Sequence, residues 1–131
     1  MQPTNGFLSS LKVELINPTS HTGGGTWRTL APLLYIDRSG KLWEVPAEFE
    51  TDFASVPRIP LAYMFFGCTA HQAAVLHDWF CVTQIISRSE ADKLFLEAME
   101  SVGVSKMRAL PMFIAVRAYY EIIVNFFRGL L

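Results

Sequence analysis

The stretch Leu33-Leu34-Tyr35-Ile36-Asp37-Arg38-Ser39-Gly40-Lys41-Leu42-Trp43-Glu44-Val45 decides the first half of the fold. Two runs rich in aliphatic and aromatic residues flank Asp37-Arg38-Ser39-Gly40. Those four residues suit a tight reversal, and Gly40, placed last, takes dihedrals closed to other residues. The reading is a hairpin with arms from Trp27 to Ile36 and from Lys41 to Thr51. Pro32 and Pro46 interrupt the arms, and a residue without an N–H donor belongs at a sheet edge or a bulge. Upstream, Leu11, Val13 and Leu15 alternate with Lys12 and Glu14, the period of a half-buried strand. Residues 17–26, with Pro18, Ser20 and three glycines at 23–25, read as a mobile loop. No helix start follows it, so it is not a phosphate cradle, and His21 within it is an exposed side chain.

Beyond residue 60 the pattern becomes helical. Thr69 with Gln72 and Ser87 with Glu90 each have the spacing of a capping box. They place one helix over Ala70–Val82 and a second over Arg88–Ser101, with Gly103 stopping the second. A third covers Ser105–Phe127, with Pro111 near its start. Leu61–Phe66 reads as a short apolar turn or helix. The fold class is therefore α+β: an N-terminal antiparallel β region of hairpins, residues 8–58, packed on about three C-terminal α-helices within 61–129. A length of 131 residues suits a single domain spanning 1–131.

Composition narrows the classes. Apolar residues make up 51% and charged residues 18%, so the chain can build a core and is not of the disordered type. A net charge of −1 announces no phosphate-tracking surface, and no nucleic-acid partner is indicated. Cys68 and Cys81 are too few for a disulfide framework and read as reduced thiols. The first residues show no basic segment followed by an apolar one, so no signal peptide is read. In the last helix Arg117, Glu121, Asn125 and Arg128 form one polar stripe, and the remaining sides are apolar. Three charges within the apolar run argue against a membrane span. An apolar surface formed by Tyr119, Tyr120, Ile123, Phe126, Phe127, Leu130 and Leu131 is expected to meet a partner.

Two segments carry polar residues in an otherwise apolar centre. The first is Thr51-Asp52-Phe53-Ala54-Ser55-Val56-Pro57-Arg58, and the second is His77-Asp78 inside Ala70–Val82. Asp and Ser in a turn bond backbone amides, whereas Asp52, Ser55, His77 and Asp78 brought together would be catalytic candidates. Asp52, His77 and Asp78 would suit a hard divalent metal, the one cofactor considered, with Asp92 or Glu90 as further ligands. The absence of a Cys-x-x-Cys pair argues against structural zinc. Thr51, Arg58, Asp92 and Arg117 read instead as a structural polar network, with Asp78 ion-paired to Arg117 or Arg58. Ser55 does not sit in a Gly-x-Ser-x-Gly elbow, and both cysteines read as buried small residues.

Several motifs resemble the domain of unknown function 1353 family. They are Trp43 to Arg58, Ala73-Ala74-Val75-Leu76-His77-Asp78-Trp79-Phe80, Ser87 to Met99 and Ala115-Val116-Arg117, and together they cover about residues 41–120. The resemblance implies a bacteriophage or prophage protein, with the family's polar positions at Thr51, Asp52, Ser55, His77, Asp78, Asp92 and Arg117. The apolar run Tyr119–Leu131 is richer in large side chains than the family pattern. The expected function is a virion protein, tail-associated, structural or assembly-directing. It would meet other phage proteins or a second copy through the C-terminal helix, in the host cytoplasm and then in the virion. The alternative is a small hydrolase with an Asp/His hard-metal site connected with host lysis. Docking to a membrane surface is a weaker third reading.

Overall fold

The computed structural model describes residues 5–18, 25–51 and 70–130. Among the described residues six strands precede three helices: β1 (Gly6–Phe7), β2 (Val13–Asn17), β3 (Thr26–Thr29), β4 (Leu33–Ile36), β5 (Leu42–Val45), β6 (Glu50–Thr51), α1 (His71–Thr83), α2 (Arg88–Ser101) and α3 (Lys106–Leu130). The strands form two antiparallel three-stranded sheets, ordered β1-β4-β5 and β2-β3-β6. The architecture is α+β, as the periodicities require.

The hairpin at Asp37–Gly40 is present, and its register pairs Leu33 with Val45 and Ile36 with Leu42. Its arms are shorter than the sequence suggests. At Leu30–Pro32 and again at Pro46–Phe49 the chain leaves one sheet for the other, so Trp27 pairs with Thr51 in the second sheet. The prolines therefore stand between strands rather than on an edge. Thr29 holds this corner together and is fully buried. Its hydroxyl donates to the Pro46 carbonyl at 2.8 Å and accepts from the Phe49 amide at 2.9 Å. Its backbone N–H reaches Phe49 O at 3.0 Å, and its carbonyl accepts from Glu48 N at 2.8 Å. Gly25 is required where β3 begins: φ is 84° there, and a Cβ would lie 2.7 Å from Leu15 Cδ1.

α1 lies at the centre. Every residue from Ala73 to Asp78 is buried, so the helix is covered on all sides. Trp43 of β5 meets Phe80 edge-on at 5.0 Å, and Phe49 meets Trp79 at 5.3 Å, which seats the sheets on α1. Helix α2 has the expected bounds. The Ser87 side chain accepts from Glu90 N at 3.1 Å, and Gly103 ends the turn after the helix with φ 93°. Helix α1 starts at His71 with Ala70 as its N-cap. Thr69 lies outside the described residues, and Gln72 donates instead to Ser9 O at 3.2 Å.

The β-turn rests on one carboxylate. Asp37 Oδ1 accepts from Ser39 N, Ser39 Oγ and Lys41 N at 2.9, 2.6 and 3.0 Å, and Oδ2 accepts from Trp43 Nε1 at 2.8 Å. Burial opposes its ionisation, but these donors outweigh burial and hold the carboxyl below its usual range. Asp37→Ala is expected to cost about 2–3 kcal/mol, since several charge-assisted bonds are lost and their donors freed. Urea unfolding should show a lower midpoint at unchanged slope. A midpoint equal to wild type would remove Asp37 from the account of the turn.

Candidate functional site

The polar residues of the centre sort into two clusters. Thr51 closes β6, and its hydroxyl donates to Asp78 Oδ2 of α1 at 2.6 Å. This bond ties the second sheet to the central helix, and both residues are buried. The expected ion pair between Asp78 and Arg117 does not form. Arg117 reaches a different acid, because Asp78 faces the sheet while α3 packs on α2.

That acid is Asp92 of α2, which is fully buried. Its Oδ1 receives His77 Nε2 of α1 at 2.6 Å and Arg88 Nε of α2 at 3.0 Å. Its Oδ2 receives Arg117 Nη1 of α3 at 3.0 Å. Arg117 Nη2 continues to Glu121 Oε1 at 3.2 Å. One carboxylate thus joins α1, α2 and α3. Burial alone would raise the Asp92 pKa, but His77, Arg117 and Arg88 together hold it below the usual carboxylate range. His77 moves down as well, because burial opposes its charged form more than Asp92 favours it. The two guanidinium groups therefore neutralise Asp92, and His77 is a neutral imidazole whose Nε2–H donates. Phe95 packs against its ring at 4.8 Å between centroids.

An open depression of about 640 Å³ lies outside this network, lined in part by Cys81, Ser87, Arg88 and Tyr120. The Arg88 guanidinium stacks on the Tyr120 ring at 4.7 Å. Tyr120 is therefore half-buried beside α2 rather than part of a free apolar face. Cys81 forms no disulfide, and its sulfur lies 3.8 Å from both ring nitrogens of His77. Equal distances to both nitrogens place the sulfur off the lone-pair direction of either, which is not the geometry of a thiol–imidazole proton transfer.

The arrangement brings Thr51 to Asp78 and His77 to Asp92 and Arg117. Of the expected centre, His77 and Asp78 are described, and they bond to different partners. Asp52, Ser55, Arg58, Cys68 and Leu131 lie outside the described residues. Among the described residues no group of three His, Cys, Asp or Glu side chains converges as metal ligands. His71, the first residue of α1, is exposed. Arg88 was missed, although its position four residues before Asp92 on one helix is a spacing that brings side chains together.

The chain is thus an α+β protein whose polar centre is an Asp92 network spanning three helices. The family described as "Protein of unknown function (DUF1353)" matches residues 27–116, and the chain belongs to it. The match runs from β3 into α3, includes Thr51, His77, Asp78, Arg88 and Asp92, and stops one residue before Arg117. Two proteins of Sinorhizobium fredii (strain NBRC 101917 / NGR234) are similar. "Uncharacterized protein y4iH" is 35% identical over 89 residues, covering 65% of this chain and 36% of its own length. "Uncharacterized protein y4jT" is 31% identical over 86 residues, covering 63% of this chain and 25% of its own length. The matched segments thus span about a third and a quarter of these relatives. No solved structure matches the chain.

The network generates two expectations. Asp92→Ala would strand two guanidinium groups and is expected to destabilise by about 3–5 kcal/mol, read by chemical denaturation. His77 has a folded pKa below its unfolded value, so its contribution is complete above about pH 6.5 and is lost as pH falls toward the folded pKa. The unfolded chain takes up a proton there that the folded chain refuses, so stability should fall by up to about 1.4 kcal/mol per pH unit from this residue. His77→Gln keeps an N–H donor for Asp92 and should flatten the slope between neutrality and pH 5. An unchanged slope would mean that His77 is not the group that titrates.

Proposed function

We propose that this is a phage-encoded virion or assembly protein, associated with the tail, that docks through the C-terminal half of α3. The observation that carries the reading is the state of that half. Ile122, Phe126, Phe127 and Leu130 are 66, 61, 59 and 66% exposed. They follow directly on the point where Arg117 locks α3 to Asp92. The network holds the middle of the helix in place and leaves its apolar end exposed. Exposed apolar surface of this kind on a folded protein marks an interaction site. The phage context rests on the resemblance of the motifs, and with it go a host-cytoplasmic stage and later incorporation in the particle.

A hydrolase reading has less support. Both oxygens of Asp92 are engaged by cations and His77, and Asp78 Oδ2 accepts from Thr51. α3 is 25 residues long and apolar enough to cross a bilayer by length and composition. Arg117, however, bridges its middle to buried Asp92, and a spanning helix would break that bond.

The test is complementation in a lysogen whose own copy of the gene is deleted. The pair Phe126→Ser and Phe127→Ser should leave the chain folded, by circular dichroism and thermal unfolding, yet abolish its recovery in purified particles. His77→Gln should be recovered like wild type. Full incorporation of the Phe variant, or loss of function in His77→Gln alone, would overturn the docking reading.

A further inference from the structure

Ala109, Met112 and Val116 set one side of α3 into the packed body. With 3.6 residues per turn, the opposite side is formed by Met107, Pro111, Ile114, Ala118 and Ile122, which fall within an arc of about 80°. All five are exposed, Met107 by 89% and Ile114 by 62%. This apolar stripe is about 23 Å long and begins in the first turn of the helix, well before Arg117. Asn125 ends it. Lys106, Arg117 and Arg128 stand along one flank of the stripe and Arg108 along the other. Glu121, on the first flank, is met by Arg117.

Charge is divided just as unevenly. α3 holds four of the chain's 11 basic residues and one of its 12 acidic residues, so the helix is net positive and the rest of the chain net negative. An apolar line with cations on both flanks, backed by an acidic body, is the layout of a helix lying in the plane of an anionic bilayer. We propose that α3 rests on an anionic phospholipid surface through this stripe, with Lys106, Arg108 and Arg128 at the headgroups. Met107, Ile114 and Ile122 enter the acyl boundary, and the long basic side chains reach back to the phosphates. Arg117 stays with Asp92, so the helix lies on the membrane and does not cross it. Nucleic acid is anionic too, but it would need the cations along the middle of the contact, where this helix is apolar. A second α3 would bring two net positive helices together. The stripe is also separate from the docking end proposed above: Met107 and Ile114 precede Arg117, whereas Phe126 and Phe127 follow it.

The test is co-sedimentation of the full chain with vesicles of phosphatidylglycerol and phosphatidylethanolamine, set against vesicles of phosphatidylcholine. The chain should pellet with the anionic vesicles, stay in solution with the neutral ones, and be released as salt is raised. Lys106→Gln with Arg128→Gln should weaken binding about 30-fold, roughly fivefold for each basic residue. Met107→Ser with Ile114→Ser should weaken it by about tenfold or more. All four positions are exposed, and circular dichroism without lipid should show the helix content of wild type in both variants. A chain that leaves anionic vesicles unbound, or binds neutral ones equally, overturns the proposal, as does capture by an acidic protein in place of the vesicles. Unchanged binding in the Met107/Ile114 variant also overturns it. So does loss of binding confined to the Phe126/Phe127 variant, which would move the contact to the docking end. If vesicle binding depends on Met107 and Ile114 while the Phe126/Phe127 variant is incorporated normally in particles, the membrane contact stands and docking falls. If vesicles are not bound and that variant is still excluded from particles, the reverse holds.

Discussion

A carboxylate removed from water must find its compensation inside the protein, and Asp92 finds it on three helices at once. Isolated, its charge would be prohibitive in an apolar interior. With Arg88 and Arg117 on its oxygens and His77 beside them, the charge is balanced and its hydrogen-bonding capacity is filled. The order in which the helices pack follows from this. α2 provides the acid, α1 must present His77 to it from the buried centre, and α3 must place Arg117 within reach. Such a group is weak as a source of net stability compared with apolar side chains of the same volume, but it is strict about geometry, since any rotation of one helix strands a charge. The Thr51–Asp78 bond extends the same logic to the sheet, so that β6, α1, α2 and α3 are registered by two buried carboxylates.

Much of the backbone plan was legible in the residues because local rules and tertiary packing agree. α2 runs between a Ser87 cap and a Gly103 stop, both visible as chemistry, and its bounds are those expected. The hairpin turn was equally plain, since Asp37 and Gly40 have few other uses. The length of its arms was not, because apolar residues continue through Leu30–Pro32 and Pro46–Phe49 although the chain changes sheets there. The residue that makes the corner, Thr29, is a single buried hydroxyl with no local signature. A threonine satisfied on both sides by backbone groups twenty residues away cannot be told from any other strand threonine.

The polar centre was half legible. His77, Asp78, Asp92 and Arg117 stood out as charges on apolar helices, and each proved to be bonded. Which acid meets which base was not readable, because a helical projection gives the face of a side chain and says nothing about what lies across from it. Two buried acids and one buried-facing Arg117 allowed two pairings, and the packing of α3 on α2 rather than on the sheet chose between them. The apolar character of residues 119–130 was visible from composition, whereas the point at which cover ends depends on where α2 begins and needed the fold.

The sheets themselves bear on how this chain can assemble. β1 and β6 are two residues long, and each forms an edge of its sheet. The opposite edge of the second sheet, β2, carries Glu14 and is kinked by an irregularity between Leu15 and Asn17. That of the first, β5, runs into Pro46 at its end. Edges that are short, charged, bent or stopped by proline offer little template for another strand. Among the described residues, these edges give strand addition, the failure common to small β-containing proteins, little to start from. The chain can keep a sticky helix in the open without its sheets joining into fibres.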